Sequence, residues 1–265
     1  MFTLANLFTA SNLISGILAI LFALMGRLDL APYAIFAGAL FDFLDGFVAR
    51  LFKTTGELGK QLDSLADMIT FGVAPGVMML VVLTVDPNSL NDLNDVAKIK
   101  EGVDDWFVGL FNGKLDLIPL AGLIIPFFSL FRLAKFNIDT RQSESFIGLP
   151  TPANTLFFTT FPLVLTSMIH NSEPVGEVYL VLFNTYFLIA LMTLMGLLMV
   201  SEIPLFSLKV KHFKLKGNEI RFSFLLISLI FILVFKVWSI ALIVFLYLVF
   251  SIIENSIFKK NKDEV

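Results

Sequence analysis

The chain has 265 residues, 57% of them hydrophobic and only 15% charged, with a mean hydropathy of +0.86. A soluble domain carries about 25% charged residues, so this composition excludes a chain that hides its apolar surface in one water-soluble core; the lipid bilayer must be part of its solvent. The absence of cysteine excludes disulfides, thiolate metal sites and cysteine nucleophiles.

The only histidines are His170 and His212, so a bound metal would be held by oxygen, the chemistry of hard cations. The net charge of −3 says little in such a chain, where the placement of charge matters more than its sum. No nucleic-acid partner is expected. The N-terminus shows neither a basic leader nor a small-residue cleavage site, so the first apolar stretch is expected to stay as a helix.

Apolar runs long enough to cross a hydrocarbon core of about 30 Å fall at 8–25, 31–51, 61–85, 117–135, 152–169, 178–200, 221–235 and 237–256. These predict an all-α, polytopic transmembrane bundle of about eight helices. Only Lys236 divides the last two runs, which could also form one long broken segment. With the N-terminus in the cytoplasm, the cytoplasmic connections carry fourteen of the 19 basic residues, among them Arg50, Lys53, Lys60, Arg132, Lys135 and Arg141. The outer connections carry Arg27, Lys98, Lys100, Lys114 and Lys236. This asymmetry predicts that both termini are cytoplasmic.

The connection at 86–116 is long, acidic and predicted to lie outside, with Trp106 and Phe107 suited to the membrane interface. The stretch 209–221 is basic, which fits either an ordinary cytoplasmic loop or a surface attracting anionic head groups. His212 lies among its lysines and is expected to be exposed, and His170 is placed near the outer face. No internal repeat and no separate soluble domain is visible.

Four aspartates stand out. Asp42 and Asp45 are three residues apart on the second helix, and Asp63 and Asp67 are four apart on the third, so each pair shares a helix face. A short cytoplasmic turn joins the helices, so the two faces can meet near the cytoplasmic interface. Each carboxylate at the centre of a bilayer costs about 2.5–3.5 kcal/mol, and neighbouring carboxylates repel. Two Mg2+ or Mn2+ ions would offset both costs. Ala34, Gly38, Gly46 and Ala49 leave room for a helix or a ligand beside these faces. Arg50 can neutralise a carboxylate or grip a phosphate oxygen. On these residues alone, a catalytic metal site, a cation pathway and a structural ion-pair network all remain open.

The pattern Asp42-x2-Asp45-Gly46-x2-Ala49-Arg50-x8-Gly59-x3-Asp63-x3-Asp67 resembles the signature of the CDP-alcohol phosphatidyltransferase family at all eight defining positions. Further stretches are similar to the subgroup whose acceptor is the hydroxyl of L-serine. They are NLFTASNLISG at 6–16, DSLADMITFGVAP at 63–75, FRLAKFN at 131–137, GLPTP at 148–152 and SEIPLFSLK at 201–209. The resemblance runs over roughly residues 5–210. Ala5, where the family commonly has proline, and the long 86–116 connection depart from it outside the signature.

The resemblance implies a six-helix core within residues 1–210, one that often dimerises, with a polar cavity open to the cytoplasm and to lipid. Residues 211–265 would add a basic loop and a last helix pair. It also implies transfer of the phosphatidyl group from CDP-diacylglycerol to an alcohol, with release of CMP. Asp42, Asp45 and Asp63 would hold the ions, and Asp67 would share them and act as general base. Gly46, Ala49, Arg50 and Gly59 would receive the nucleotide, with Asn12 beside it. Arg132, Lys135 and Arg141 are the candidates for the acceptor's anionic group. A sister enzyme using glycerol 3-phosphate or inositol phosphate is the alternative, and a cation transporter built on the same aspartates is the alternative of another class.

Overall fold

A computed structural model describes residues 3–53, 56–86, 96–139, 146–171, 176–205 and 218–263. The first helix, α1 (Leu4–Leu24), opens on Thr3, whose hydroxyl accepts from the Asn6 amide at 3.2 Å. Its buried face is small or polar: Ala5, Thr9, Asn12, Ser15, Gly16, Ala19 and Ala23. Its large residues, among them Leu7, Ile14, Leu18 and Leu21, point outward. That inversion of the soluble pattern is what a bilayer demands. Lipid tails solvate leucine as well as a protein core does, so helices join through close backbone approach instead.

Helix α2 (Ala31–Leu51) returns alongside α1, with Pro32 in its first turn, where a missing N–H costs nothing. The turn between them carries an Arg27–Asp29 ion pair, 2.8 Å at both contacts, and this pairing holds the Asp29 carboxyl below the usual carboxylate range.

The third apolar run is one continuous span, Glu57–Thr84. It divides into α3 (Glu57–Asp67), a π-helical stretch (Met68–Val73) and α4 (Ala74–Thr84). Pro75 accounts for the break in pattern. A proline has no N–H to give to the carbonyl four residues earlier, and that carbonyl belongs to Phe71. It accepts from the Thr155 hydroxyl instead, at 2.7 Å. A neighbouring threonine thus satisfies backbone that the helix itself cannot, as the membrane interior requires. Helix α4 is almost wholly buried and forms the central post of the bundle.

The 86–116 connection contains a helix of its own among its described residues, α5 (Ala97–Phe111). Ile99 and Val103 are buried, α5 packs on α4, and the Trp106 indole donates to the Asp116 carbonyl at 2.9 Å. A 3-10 stretch (Ile118–Leu123) leads into α6 (Ile124–Ile138). Helix α7 (Thr151–Asn171) follows.

The run at 178–200, read from the sequence as one helix, is two: α8 (Glu177–Leu182) and α9 (Thr185–Val200). Asn184 causes the break, because its side chain caps α9 by accepting from the amides of Tyr186 and Phe187 at 3.0 and 3.2 Å.

Two short strands interrupt the all-α pattern, β1 (Phe146–Ile147) and β2 (Pro204–Leu205), paired antiparallel. They bring the stretches at 148–152 and 201–205 side by side. Gly148 is needed there: its φ is +75°, and a Cβ would lie 2.5 Å from the Met199 carbonyl oxygen.

The last apolar stretch is a hairpin of α10 (Glu219–Phe235) and α11 (Ser239–Asp263), turned at Lys236–Trp238. The far ends are joined by Arg221 Nη1 and Glu254 Oε1 at 3.5 Å, and α11 packs on α7. The chain is thus an all-α polytopic bundle, with five helical stretches among the described residues long and apolar enough to cross a membrane.

The crossing of the 3-10 stretch over α4 is glycine on glycine. A Cβ at Gly122 would sit 2.6 Å from the Leu80 amide nitrogen and against the Gly76 carbonyl oxygen. Gly122→Ala is therefore expected to destabilise the detergent-solubilised protein by about 1–3 kcal/mol, the usual cost of overpacking. Gly109→Ala, which would meet only Lys114 Cβ at 3.8 Å, should leave the thermal midpoint unchanged or slightly raised.

Candidate functional site

The four aspartates lie at one end of the bundle, where the last turns of α2 face α3. Asp42, Asp63 and Asp67 each place a carboxylate oxygen within 4.8 Å of the others. Asp45 is buried beside them, and its Oδ2 accepts from the Thr9 hydroxyl at 2.6 Å. Asp67 Oδ1 accepts from the Asn12 amide at 3.1 Å. Thr9 and Asn12 are three residues apart on α1, so the buried face of that helix holds one carboxylate from each partner helix. Asn12 is fixed in turn, because its backbone carbonyl accepts from the Thr70 hydroxyl of the π-helical stretch at 2.9 Å. Sequence reasoning missed Thr9; the readable signal was the row of polar residues Thr9, Asn12 and Ser15, three apart, in a membrane-length helix.

The donor set fits divalent cations. Asp63 Oδ1 is sealed from solvent with no hydrogen-bond partner, which is costly for a carboxylate oxygen unless a cation meets it. None of the four aspartates has a lysine or arginine within 4 Å among the described residues. Three oxygens converging within one ion's reach, with no lysine or arginine paired to them among the described residues, is hard-cation chemistry.

The glycines divide into two kinds. At Gly16 and Gly38 a Cβ would lie 2.5 and 2.6 Å from Thr70 side-chain atoms, so these two exist for helix packing. At Gly46 and Gly59 the nearest atoms would be 3.8 and 3.7 Å away, so no helix needs their small size. They open a cleft of about 210 Å³ instead, lined also by Ala49, Asp45, Asp63 and Thr9. The signature's small residues and two of its aspartates therefore share one cavity. Arg50 is exposed near Gly46 at its rim. Lys60, read from the sequence only as a cytoplasmic charge, also lines the cleft.

The acceptor candidates separate. Arg132 is buried on α6, where its Nε donates to the Leu149 carbonyl at 3.3 Å and its guanidinium stacks on the Phe136 ring at 5.2 Å. Lys135 is paired with Glu202 and reaches the Val200 carbonyl, an anchoring role. Neither is among the residues lining the cleft. Arg141 lies outside the described residues, as do His212 and the lysines at 209–216. Asn137, at the end of α6, donates to the Ser64 hydroxyl at 2.7 Å.

Residues 2–200 match the family described as CDP-alcohol phosphatidyltransferase. A Helicobacter pylori protein named CDP-diacylglycerol–serine O-phosphatidyltransferase is 32% identical over 97% of this chain and 95% of its own length. A Bacillus subtilis protein of the same name is 32% identical over 62% of this chain and 74% of its own. An archaetidylserine synthase of Methanothermobacter thermautotrophicus is 32% identical over 60% of this chain and 58% of its own.

The two kinds of glycine give a direct test. Gly59→Leu is expected to keep the wild-type thermal midpoint within a few degrees, because its Cβ would meet no atom closer than 3.7 Å. Gly16→Leu should fail to give a stable protein, because it collides with Thr70.

Proposed function

This chain belongs to the CDP-alcohol phosphatidyltransferase family, and from that membership we propose that it is a phosphatidylserine synthase. It transfers the phosphatidyl group of CDP-diacylglycerol to the hydroxyl of L-serine and releases CMP. The observation that carries the reading is the convergence of Asp42, Asp63 and Asp67 beside a cleft whose small residues no helix packing requires. Likeness to serine-accepting relatives, one of them over nearly full length, supports the acceptor.

Each part of the site has a task in this reaction. Gly46, Ala49 and Gly59 let the nucleotide and its pyrophosphate approach the backbone of α2 and α3, and Arg50, beside Gly46, faces its phosphates from the rim. Asp42, Asp45, Asp63 and Asp67 would hold two Mg2+ or Mn2+ ions, which when bound neutralise the pyrophosphate and the departing CMP. Thr9 and Asn12 fix the rotamers of Asp45 and Asp67, so the carboxylates are placed before substrate arrives.

Asp67 takes the proton of the serine hydroxyl as its oxygen bonds to the phosphatidyl phosphorus and the bond to CMP breaks. The serine carboxylate needs a cation. Arg132 suits this better than Lys135, because it gives its Nε to Leu149 while Lys135 is occupied by Glu202. The bundle's polar end faces the cytoplasm, as the fourteen basic residues on that side support, and a homodimer belongs to the same reading.

The test is phosphatidyl transfer by the purified protein in detergent, with CDP-diacylglycerol, Mn2+ or Mg2+ and labelled L-serine. Parallel reactions contain glycerol 3-phosphate or inositol phosphate. Metal-dependent phosphatidylserine and CMP, formed with serine alone, are expected. Product only with a phosphorylated acceptor would overturn the serine assignment, and no CMP with any acceptor would favour ion transport. Asp67→Asn should lower turnover by about 10²–10⁴-fold without lowering the thermal midpoint; near-normal turnover would remove Asp67 from the role of base.

A further inference from the structure

Helix α3 carries two of the four aspartates but buries little of its own surface. Ala66 is its only buried residue, and Leu58 and Leu65 are largely exposed. It rests on α1 along one side. On the other side, the polar ties among the described residues converge on a single residue of another helix. Asn137 Nδ2 donates to the Ser64 hydroxyl at 2.7 Å, and the Asn137 carbonyl accepts from Lys60 Nζ at 2.7 Å.

We infer that Asn137 is a positioning residue, a clasp that sets the rotation of α3 and thereby the placement of Asp63 and Asp67. The inference rests on the metal-dependent reading above and adds a residue to it.

Helix geometry shows why the clasp acts on the carboxylates. Residues advance by about 100° around a helix. Lys60 and Ser64 are one turn apart, as are Asp63 and Asp67, and the two rows lie side by side on one half of α3. Any roll of α3 that moved Ser64 would carry the aspartates with it.

The far end of the clasp is firm. Asn137 sits in the last turn of α6, whose Ser129 is wholly buried against Gly72 of the π-helical stretch and whose Arg132 is bonded to the Leu149 carbonyl. A loosely packed ligand helix is thus referred to a rigid one. The same link joins the carboxylate side of the site to the helix that carries Arg132. Residues that orient metal ligands from behind typically change metal affinity by about 10–100-fold when removed.

The experiment is direct Mn2+ binding, followed by electron paramagnetic resonance, to the full chain in detergent. The proteins are wild type, Ser64→Ala, Asn137→Ala and the double variant, with thermal midpoints measured alongside. Asn137→Ala keeps the carbonyl that Lys60 uses, so it removes only the bond to Ser64. Each single variant is expected to weaken Mn2+ binding by about tenfold, and the double by no more than either single, because both remove one bond.

Ser64→Thr, which keeps the hydroxyl, should bind as wild type, and it replaces the cycle if Asn137→Ala does not fold. Wild-type binding in both single variants, or effects that multiply in the double, would overturn the clasp and leave the reaction assignment standing. Failure of the wild type to bind Mn2+ would overturn both.

Discussion

The constraint on which the structure depends is the cost of four carboxylates packed together in a membrane protein. Each costs about 2.5–3.5 kcal/mol at the centre of a bilayer, and their mutual repulsion adds to that. The surrounding residues are arranged to keep them ionisable and in place rather than to neutralise them. Thr9 and Asn12 each donate to one carboxylate, and no lysine or arginine lies within 4 Å of any of the four among the described residues. In the proposed reaction the charge balance is left to divalent cations and a phosphate-bearing substrate. That choice keeps the oxygens available for chemistry, where a permanent ion pair would have occupied them.

The small residues follow from the same constraint. For α1 to reach both Asp45 and Asp67, it must lie close to α2 and to the span after α3, which Gly16 and Gly38 allow against Thr70. Thr70 belongs to the π-helical stretch that begins directly after Asp67. Pro75 and Thr155 explain that stretch, since the one frees the Phe71 carbonyl and the other satisfies it. The irregular turn thus places Thr70 under α1 just where the aspartate-bearing face ends. Irregular helical turns of this kind recur at functional sites.

Much of this was legible in the sequence, and the remainder failed for identifiable reasons. The eight apolar runs all fall on helices, because length and hydropathy are decisive when the solvent is lipid. The spacing of Asp42, Asp63 and Asp67 placed them on facing helix surfaces, as the structure has them, and Asp45 lines the cleft with Asp63. The break at Asn184 was not legible, because a single capping side chain hardly alters the hydropathy of a long apolar run. The π-helical stretch was not legible either: Pro75 signals that a carbonyl is freed, but not which threonine takes it. Gly46 and Gly16 look alike in sequence, and only their surroundings show that one makes space for a ligand and the other for a helix. Asn137 is visible in the sequence only as the last residue of the stretch at 131–137, and its side chain bonds Ser64 across 73 positions.

The central claim is that Asp42, Asp63 and Asp67 form a divalent-ion site beside the cleft, which Asp63 also lines. Anomalous scattering from crystals grown with Mn2+ and CMP tests it most directly. The account predicts an anomalous peak within ligand distance of these three carboxylates, about 2.1 Å for an ion of this type, with the nucleotide against Gly46 and Gly59. Nucleotide bound in the cleft with no manganese at the aspartates would contradict it, as would manganese found only elsewhere on the molecule.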